Sequence, residues 1–357
     1  MSLPTIAVTA LNATDNPGPG VAVLRSLRAA DGAGRLIGLT YDALDAGVYA
    51  ADIADDVYLI PYPSLGTEAL QLRLEHIFAH APVDVIIPTL DSELVGFLKL
   101  EAFMKSRGTH MFAPTREQLD LRAKTHLAEL GAGADIPVPP QCTINDVDEL
   151  YRLKDVSFPL FVKGQFYGAI YAGSVDEAVA AFHHTVAKWG LPVILQQRVV
   201  GEEVDVAAVG DGRGGLVGAV PMKKTLLTDK GKGWAGIVLR DPELDGLVRK
   251  FMAFTRWRGP CELEFVRTTD GYRLLEVNPR FPAWIYLSAG AGVNLPWAVA
   301  RLALGLEPPP FHLEVGKMFV RISLDQIVSI EQFATITQEG ELHRGAPASA
   351  PDTQETT

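Results

Sequence analysis

The sequence predicts an α/β protein in two parts, a parallel-sheet unit followed by a larger α+β region, on three observations. Short apolar runs alternate with amphipathic ones through the first third of the chain. From Pro114 the character changes, and a series of strands ends in a hairpin. Within that hairpin LLEVNPRFPAW, Leu274 to Trp284, sets Glu276, Asn278 and Arg280 at alternate positions, on one face of an otherwise apolar extended chain.

The elements follow in order. TIAVTAL reads as a buried strand, VAVLRSLRAA as a helix, RLIGLTY and DVYLIPY as strands, and ALQLRLEHIFAHA as a helix. VDVIIPTL is a strand and ELVGFLKLEAFMKS a helix. Such alternation predicts a parallel sheet with helices on both faces. The loops Asn12 to Asn16 and Asp91-Ser92-Glu93 fall at carboxyl ends of strands, the edge where such sheets hold ligands. Gly18 and Gly20 supply only part of a dinucleotide fingerprint, since the third glycine is missing and Ala22 and Leu24 stand nearby. Their simpler role is to let the chain turn tightly into its helix.

Past Pro114, TREQLDLRAKTHLAELGAG reads as one helix capped by Thr115, and DVDELYRLK as a short acidic helix. FPLFVKG is a strand, QFYGAIYAG a loop, and Ser174 to Trp189 a helix. PVILQQRVV, VDVAAVGD and GLVGAVPMKK are strands, and DPELDGLVRKFMAFTRW is a helix. CELEFVRTTDGYRLLEV forms a hairpin turning at Asp270-Gly271. AGVNLPWAVARLALG is a helix, GKMFVRISLDQIVSI gives late strands, and the small, polar 345–357 reads as disordered.

A chain of 357 residues exceeds one ordinary core. Two cysteines make no disulfide framework and eight histidines show no zinc spacing. The net charge of −11 argues against nucleic acid as a partner, and the lack of a long apolar run argues against a membrane and for the cytoplasm.

The chemistry concentrates in the hairpin. Its turn sets Glu264 and Glu276 opposite each other, and facing carboxylates repel unless a cation lies between them. Glu, Glu and Asn oxygens suit Mg²⁺, and Arg280 one step on can reach a phosphate. Glu262 and Glu264 taken alone read as an ordinary solvent-facing edge. Lys163 ends an apolar strand beside Gly164, Gly168 and Gly173, so it can neutralise phosphate. Lys124 alone reads as a solvated helix lysine, and Lys223-Lys224 as surface charge.

The order Lys124…IPVPP, FPLFVKG, LQQRVVGEE and LLEVNPR resembles the ATP-grasp superfamily, most closely its carbamoyl phosphate synthetase and biotin carboxylase branch, over roughly residues 1 to 305. The resemblance implies a pre-ATP-grasp domain over 1–114 and a two-lobed α+β ATP-grasp domain over 115–305. A C-terminal extension over 306–344 and the tail would follow. It implies that Lys124, Lys163 and Lys224 contact ATP phosphates, and that Gln196, Gln197 and Val199 line adenine, largely through main chain. Glu203 would hold the ribose. Glu264, Glu276 and Asn278 would bind two magnesium ions, with Mn²⁺ as a substitute, and Arg280 would act in catalysis. The pattern departs where Ala123 precedes Lys124, where Gly164 follows Lys163, and where the loop carries bulky Phe166 and Tyr167. The implied activity is an ATP-dependent ligase joining a small-molecule or peptide carboxylate to an amine through an acylphosphate, releasing ADP and phosphate. The alternatives are a carbamoyl phosphate synthetase-like enzyme that phosphorylates a carboxylate or bicarbonate, and a non-catalytic nucleotide-binding protein. The resemblance also admits a homodimer.

Overall fold

The computed structural model describes residues 3–13, 17–165, 168–228 and 233–344. The reading of 345–357 as disordered, and the Phe166-Tyr167 pair of the glycine loop, lie outside the described residues.

Four parallel strands open the chain: β1 (Ile6–Thr9), β2 (Leu36–Thr40), β3 (Asp56–Leu59) and β4 (Val85–Ile87), in the order β3-β2-β1-β4. They are buried on both faces, as parallel strands must be. Ala7, Ile37 and Leu39 pack with the helices Thr67–His80 and Asp91–Lys99. Ile6, Val8 and Leu36 pack on the opposite face with the helix Gly20–Arg28. Gly20 is required there: a Cβ would lie 2.1 Å from the Thr9 carbonyl oxygen and 2.3 Å from that of Ala10.

A four-stranded sheet follows, from β5 (Gln141–Ile144), β6 (Leu160–Lys163), β7 (Ala169–Ala172) and β8 (Val193–Gln197), with the helix Val175–Trp189 against it. The largest sheet is built from β9 (Glu202–Asp211), β10 (Leu216–Leu227), β11 (Gly233–Val238), β12 (Arg258–Thr268), β13 (Gly271–Asn278) and β14 (Met318–Val320), in the order β13-β12-β9-β10-β11-β14. Val206, Ala208, Leu263 and Phe265 pack on one side against the helices Leu127–Ala134 and Pro242–Thr255. Ala207, Val209 and Val220 point the other way, into a core shared with the first sheet and the helix Leu295–Ala303. The last strand, β15 (Glu341–His343), returns to pair antiparallel with β3.

Three expectations are corrected. The helix expected from Thr115 to Gly133 is broken: an α-helix covers Arg116–Leu121, a 3-10 turn Lys124–His126, and a second helix starts at Leu127. Ala123 between them is extended, at φ −52° and ψ 139°. The loop QFYGAIYAG contains β7, whose alternation is too weak to see locally and whose partner β6 supplies the hydrogen bonds. GKMFVRISLDQIVSI yields only the three-residue β14, and a helix, Ile330–Glu339, follows where none was expected. That helix buries one side chain, Ile336, and the capping box formed by Ser329 and Gln332 is the local signal that the strand reading passed over.

Candidate functional site

The hairpin forms as the sequence predicts. Glu264 stands opposite Glu276, and Glu262 opposite Asn278. On the other side of β12, Glu264 stands opposite Asp205 of β9. Directly paired residues share a sheet face, so Glu276, Glu264 and Asp205 form a row of three carboxylates across three strands. The reverse face carries Leu263, Phe265 and Val277, all in the core.

Each acid meets a cation or amide. Lys124 Nζ lies 3.1 Å from Glu276, a contact that the helix break at Ala123 permits. Lys224 Nζ sits among Glu203 at 3.0 Å, Asp205 at 3.1 Å and Glu264 at 3.9 Å. Asn278 Nδ2 donates to Glu264 at 2.8 Å and to Glu262 at 3.2 Å. Arg280 donates to Glu262 at 3.0 Å and lies 3.3 Å from Asp91, while Trp284 Nε1 donates to the other Glu262 oxygen at 2.9 Å. Lys163 Nζ donates to Gln196 Oε1 at 2.6 Å, Gln196 donates to Gln141, and Gln141 to the Lys124 carbonyl.

Burial and charge act against each other here. Burial lowers the Lys163 ammonium to about 8, with Glu276 opposing and Lys124 adding to the shift. Burial likewise disfavours the charge on Lys224, but Asp205, Glu264 and Glu203 outweigh it and raise that ammonium. Burial raises Asp205 well above the usual carboxylate range, Lys224 counters it, and Glu264 and Glu262 reinforce it. The acids outnumber the ammonium they crowd, and Asp205 is the most deeply buried of them.

These groups line one cavity of about 630 Å³. Its opposite wall comes from the carboxyl edge of the first sheet, through Asn12, Gly18, Leu90 and Asp91. Lys124, Lys163, Lys224, Glu264, Glu276, Asn278 and Arg280 all reach it. Gln196 and Glu203 stand one contact behind, through Lys163 and Lys224. Gln197 and Val199 lie outside its wall.

Two readings change. Glu262 is 5% exposed and holds Arg280, Asn278 and Trp284, so it is not a solvent-facing edge residue. Lys224 is likewise buried, whereas Lys223 lies at the surface against Glu202. Asp205 and Arg321 were missed. An acid inside the apolar run VDVAAV is the signal that marked Glu276 and could have marked Asp205 as well. Arg321 lines the cavity, donates to the Ala283 carbonyl at 3.2 Å and lies beside the rings of Trp234 and Phe319.

Among the described residues no group of three or more His, Cys, Asp and Glu side chains is arranged as a metal site, and no helix is long and apolar enough to cross a membrane. Glu264, Glu276 and Asn278 are instead two opposed carboxylates and an amide. This all-oxygen set fits a hard cation that takes its other ligands from water and phosphate. Beside it, Asp205 Oδ1 is buried without a hydrogen bond.

Residues 191–321 match the family model described as ATP-grasp in the biosynthetic pathway with Ter operon. The fold matches the biotin carboxylase domain of Hydrogenobacter thermophilus 2-oxoglutarate carboxylase, solved with MgADP, ADP and bicarbonate, at 17% identity and TM-score 0.67. That match covers 88% of this chain and 73% of the other. It matches L-amino acid ligase from Bacillus licheniformis at 16% identity and TM-score 0.63, over 85% and 75% of the two chains. Phosphoribosylglycinamide synthetase from Anaerococcus prevotii matches at 12% identity and TM-score 0.62, over 88% and 79%. At these identities the likeness is one of fold.

Proposed function

We propose that this chain is an ATP-grasp enzyme, an ATP-dependent ligase joining a carboxylate to an amine: residues 191–321 match an ATP-grasp family model, and the fold is like that of a biotin carboxylase domain. One observation carries the reading: three lysines, an arginine and an all-oxygen acidic face, drawn from two sheets, the turn at Lys124 and the segment after β13, meet in one cavity whose opposite wall is the edge of the first sheet. The solved relatives named above are a carboxylase domain, a ligase and a synthetase, one of them holding MgADP, which supports the same reading.

In this proposal Lys124, Lys163 and Lys224 bind the phosphates of ATP. The ammonium groups of Lys124 and Lys224 exchange carboxylate partners for phosphate oxygens, which leaves Glu276 and Glu264 to the metal. Glu264, Glu276 and Asn278 would hold magnesium, which would supply neutralisation of phosphate charge during transfer. Gln196, Gln197 and Val199 form the adenine hinge and Glu203 meets the ribose. Arg280, fixed by Glu262, stabilises the γ-phosphoryl group as it passes to the substrate carboxylate. The amine then attacks the acylphosphate carbon, the C–N bond forms, and phosphate leaves with the C–O electron pair. Water must be kept from the acylphosphate, and a cavity walled by elements of all three sheets serves that end.

The test is incubation with ATP, Mg²⁺ and panels of carboxylates, bicarbonate and amines, following ADP, phosphate and product mass together. Substrate-dependent ADP and phosphate with a condensed product are expected. Formation of AMP and pyrophosphate would overturn the mechanism, and ATP binding without any turnover would favour a non-catalytic role.

A further inference from the structure

From the edge of the first sheet we infer that Asp91 is a positioning residue that aims the Arg280 guanidinium, and that Glu93 holds Asp91 in place for it. The inference rests on the phosphoryl-transfer role proposed for Arg280, and it gives a task to the wall opposite the hairpin.

Arg280 is held from two sides. Its Nη1 donates to Glu262 at 3.0 Å and to the Phe281 carbonyl at 3.3 Å. Its Nε lies 3.3 Å from Oδ1 of Asp91, the first residue of the helix Asp91–Lys99. Contacts at Nη1 alone leave the guanidinium plane free to swing, and a second carboxylate at Nε fixes it. Burial opposes the charge on Arg280, and Asp91, ahead of Glu262, outweighs it. The grip on the Asp91 side is unfinished. Six buried side-chain atoms lack a hydrogen bond among the described residues, and Asp91 Oδ1 and Arg122 Nε are two of them. Catalytic hydrogen bonds are commonly misaligned in a ligand-free site and close when the ligand arrives. A small turn of the guanidinium toward a phosphoryl group would complete the bond to Asp91. The other oxygen, Oδ2, lies 3.5 Å from Arg122 Nη1, and Arg122 ends the helix Arg116–Leu121 just before the break at Ala123.

Glu93 accounts for the place of Asp91. It is 2% exposed, and its carboxylate accepts from the amides of Thr89 at 2.5 Å and Leu90 at 2.7 Å, from the Thr9 hydroxyl at 2.5 Å and from the Tyr41 hydroxyl. A glutamate at the third helical position that accepts the N-cap amide is an ordinary cap. The two hydroxyls are no part of a cap. Thr9 ends β1 and Tyr41 follows β2, so one carboxylate ties the ends of two neighbouring strands to the loop that carries Asp91. A buried carboxylate is costly unless donors surround it, so these four donors fix the loop as firmly as they fix Glu93.

The test is calorimetry on the full chain with MgADP alone and with MgADP plus fluoroaluminate, which takes the place of a phosphoryl group in flight. Fluoroaluminate should tighten binding to the wild type. Asp91→Asn keeps the shape, so it should bind MgADP as the wild type does but lose about tenfold or more of that gain. Glu93→Gln should lose part of it, and Asp91→Asn keeps the test alive if that variant does not fold. Glu149→Gln makes the same change in the cap of the 3-10 helix Val147–Arg152, outside the cavity wall, and should leave the gain intact. A second readout needs no ligand: the Arg280 Nε–H resonance of arginine-labelled protein, assigned by its loss in Arg280→Lys. It should shift in Asp91→Asn and Glu93→Gln and stay in place in Glu149→Gln. A full fluoroaluminate gain in Asp91→Asn, a loss that MgADP alone shares, or an unmoved resonance would overturn the inference. A wild type with no gain would overturn the proposed chemistry itself, so the wild type alone tells the two failures apart.

Discussion

Glu264 and Glu276 face each other across β12 and β13, and each carboxylate meets a lysine from another part of the chain. Lys124 comes from a broken helix and lies 3.1 Å from Glu276. Lys224 comes from β10 and lies 3.9 Å from Glu264. Two like charges placed together by the ladder are thus held by cations that local sequence does not bring near.

Glu276→Gln removes one negative charge and keeps the shape. Turnover, and the rise in melting temperature that Mg²⁺–ATP gives the wild type, should both be lost. The ligand-free protein should lose about 1 kcal/mol or less, because the pair with Lys124 is partly exposed. Melts with and without Mg²⁺–ATP, alongside turnover, check this. A destabilised protein that still turns over would make Glu276 a structural residue.

Lys163 has a folded pKa depressed to about 8 from 10.5. Below pH 8 both folded and unfolded states hold the proton, and the folded state bears the burial cost. Between about 8 and 10.5 the folded state releases it first, so ligand-free stability should rise with pH across that window. Affinity for a non-hydrolysable ATP analogue should fall over the same window as the ammonium is lost. Lys163→Met should bind weakly at every pH and lack the stability rise. Calorimetry and melts from pH 7 upward would show both effects, and identical pH profiles in the two proteins would refute the assignment.

Lys224→Ala would strand Asp205, which is 3% exposed, without its cation. A loss of about 3 kcal/mol is expected from breaking a buried pair on one side. Adding Asp205→Asn should recover much of it, since no buried charge is then left unpaired. Urea denaturation of the double-mutant cycle gives the coupling. Additive losses would mean that the two residues do not share their charge.

Gly20→Ala would drive a methyl group into the Thr9 and Ala10 carbonyl oxygens, so the helix Gly20–Arg28 must back away from β1. The cost expected for such overpacking is about 1–3 kcal/mol. An unchanged melt would mean that the helix has room to move and that Gly20 is dispensable.

Much of the architecture was legible locally. Short apolar runs gave the four parallel strands of the first sheet, though not β15, the spacing of the acids gave both strands of the hairpin, Asp270-Gly271 gave its turn, and Thr115 gave a helix cap. The hairpin's register, and with it the Glu264–Glu276 pairing, follows from turn position and the two-residue period, both properties of neighbouring residues. The break before Lys124, the strand Ala169–Ala172 and the burial of Glu262 were not legible. Each is set by groups far away in sequence: Lys124 by Glu276, β7 by its pairing with β6, and Glu262 by Arg280 and Trp284. Asp205 joins the acidic row only because β9 lies beside β12, although Asp205 and Glu264 are 59 residues apart in the chain (264 − 205). The sequence by itself determined which residues form each face, because side-chain direction is a local property of an extended or helical backbone. Which faces meet, and so which acids lie among which lysines, was decided only by the packing of three sheets, because desolvation and Coulomb energies depend on distance through space and not along the chain.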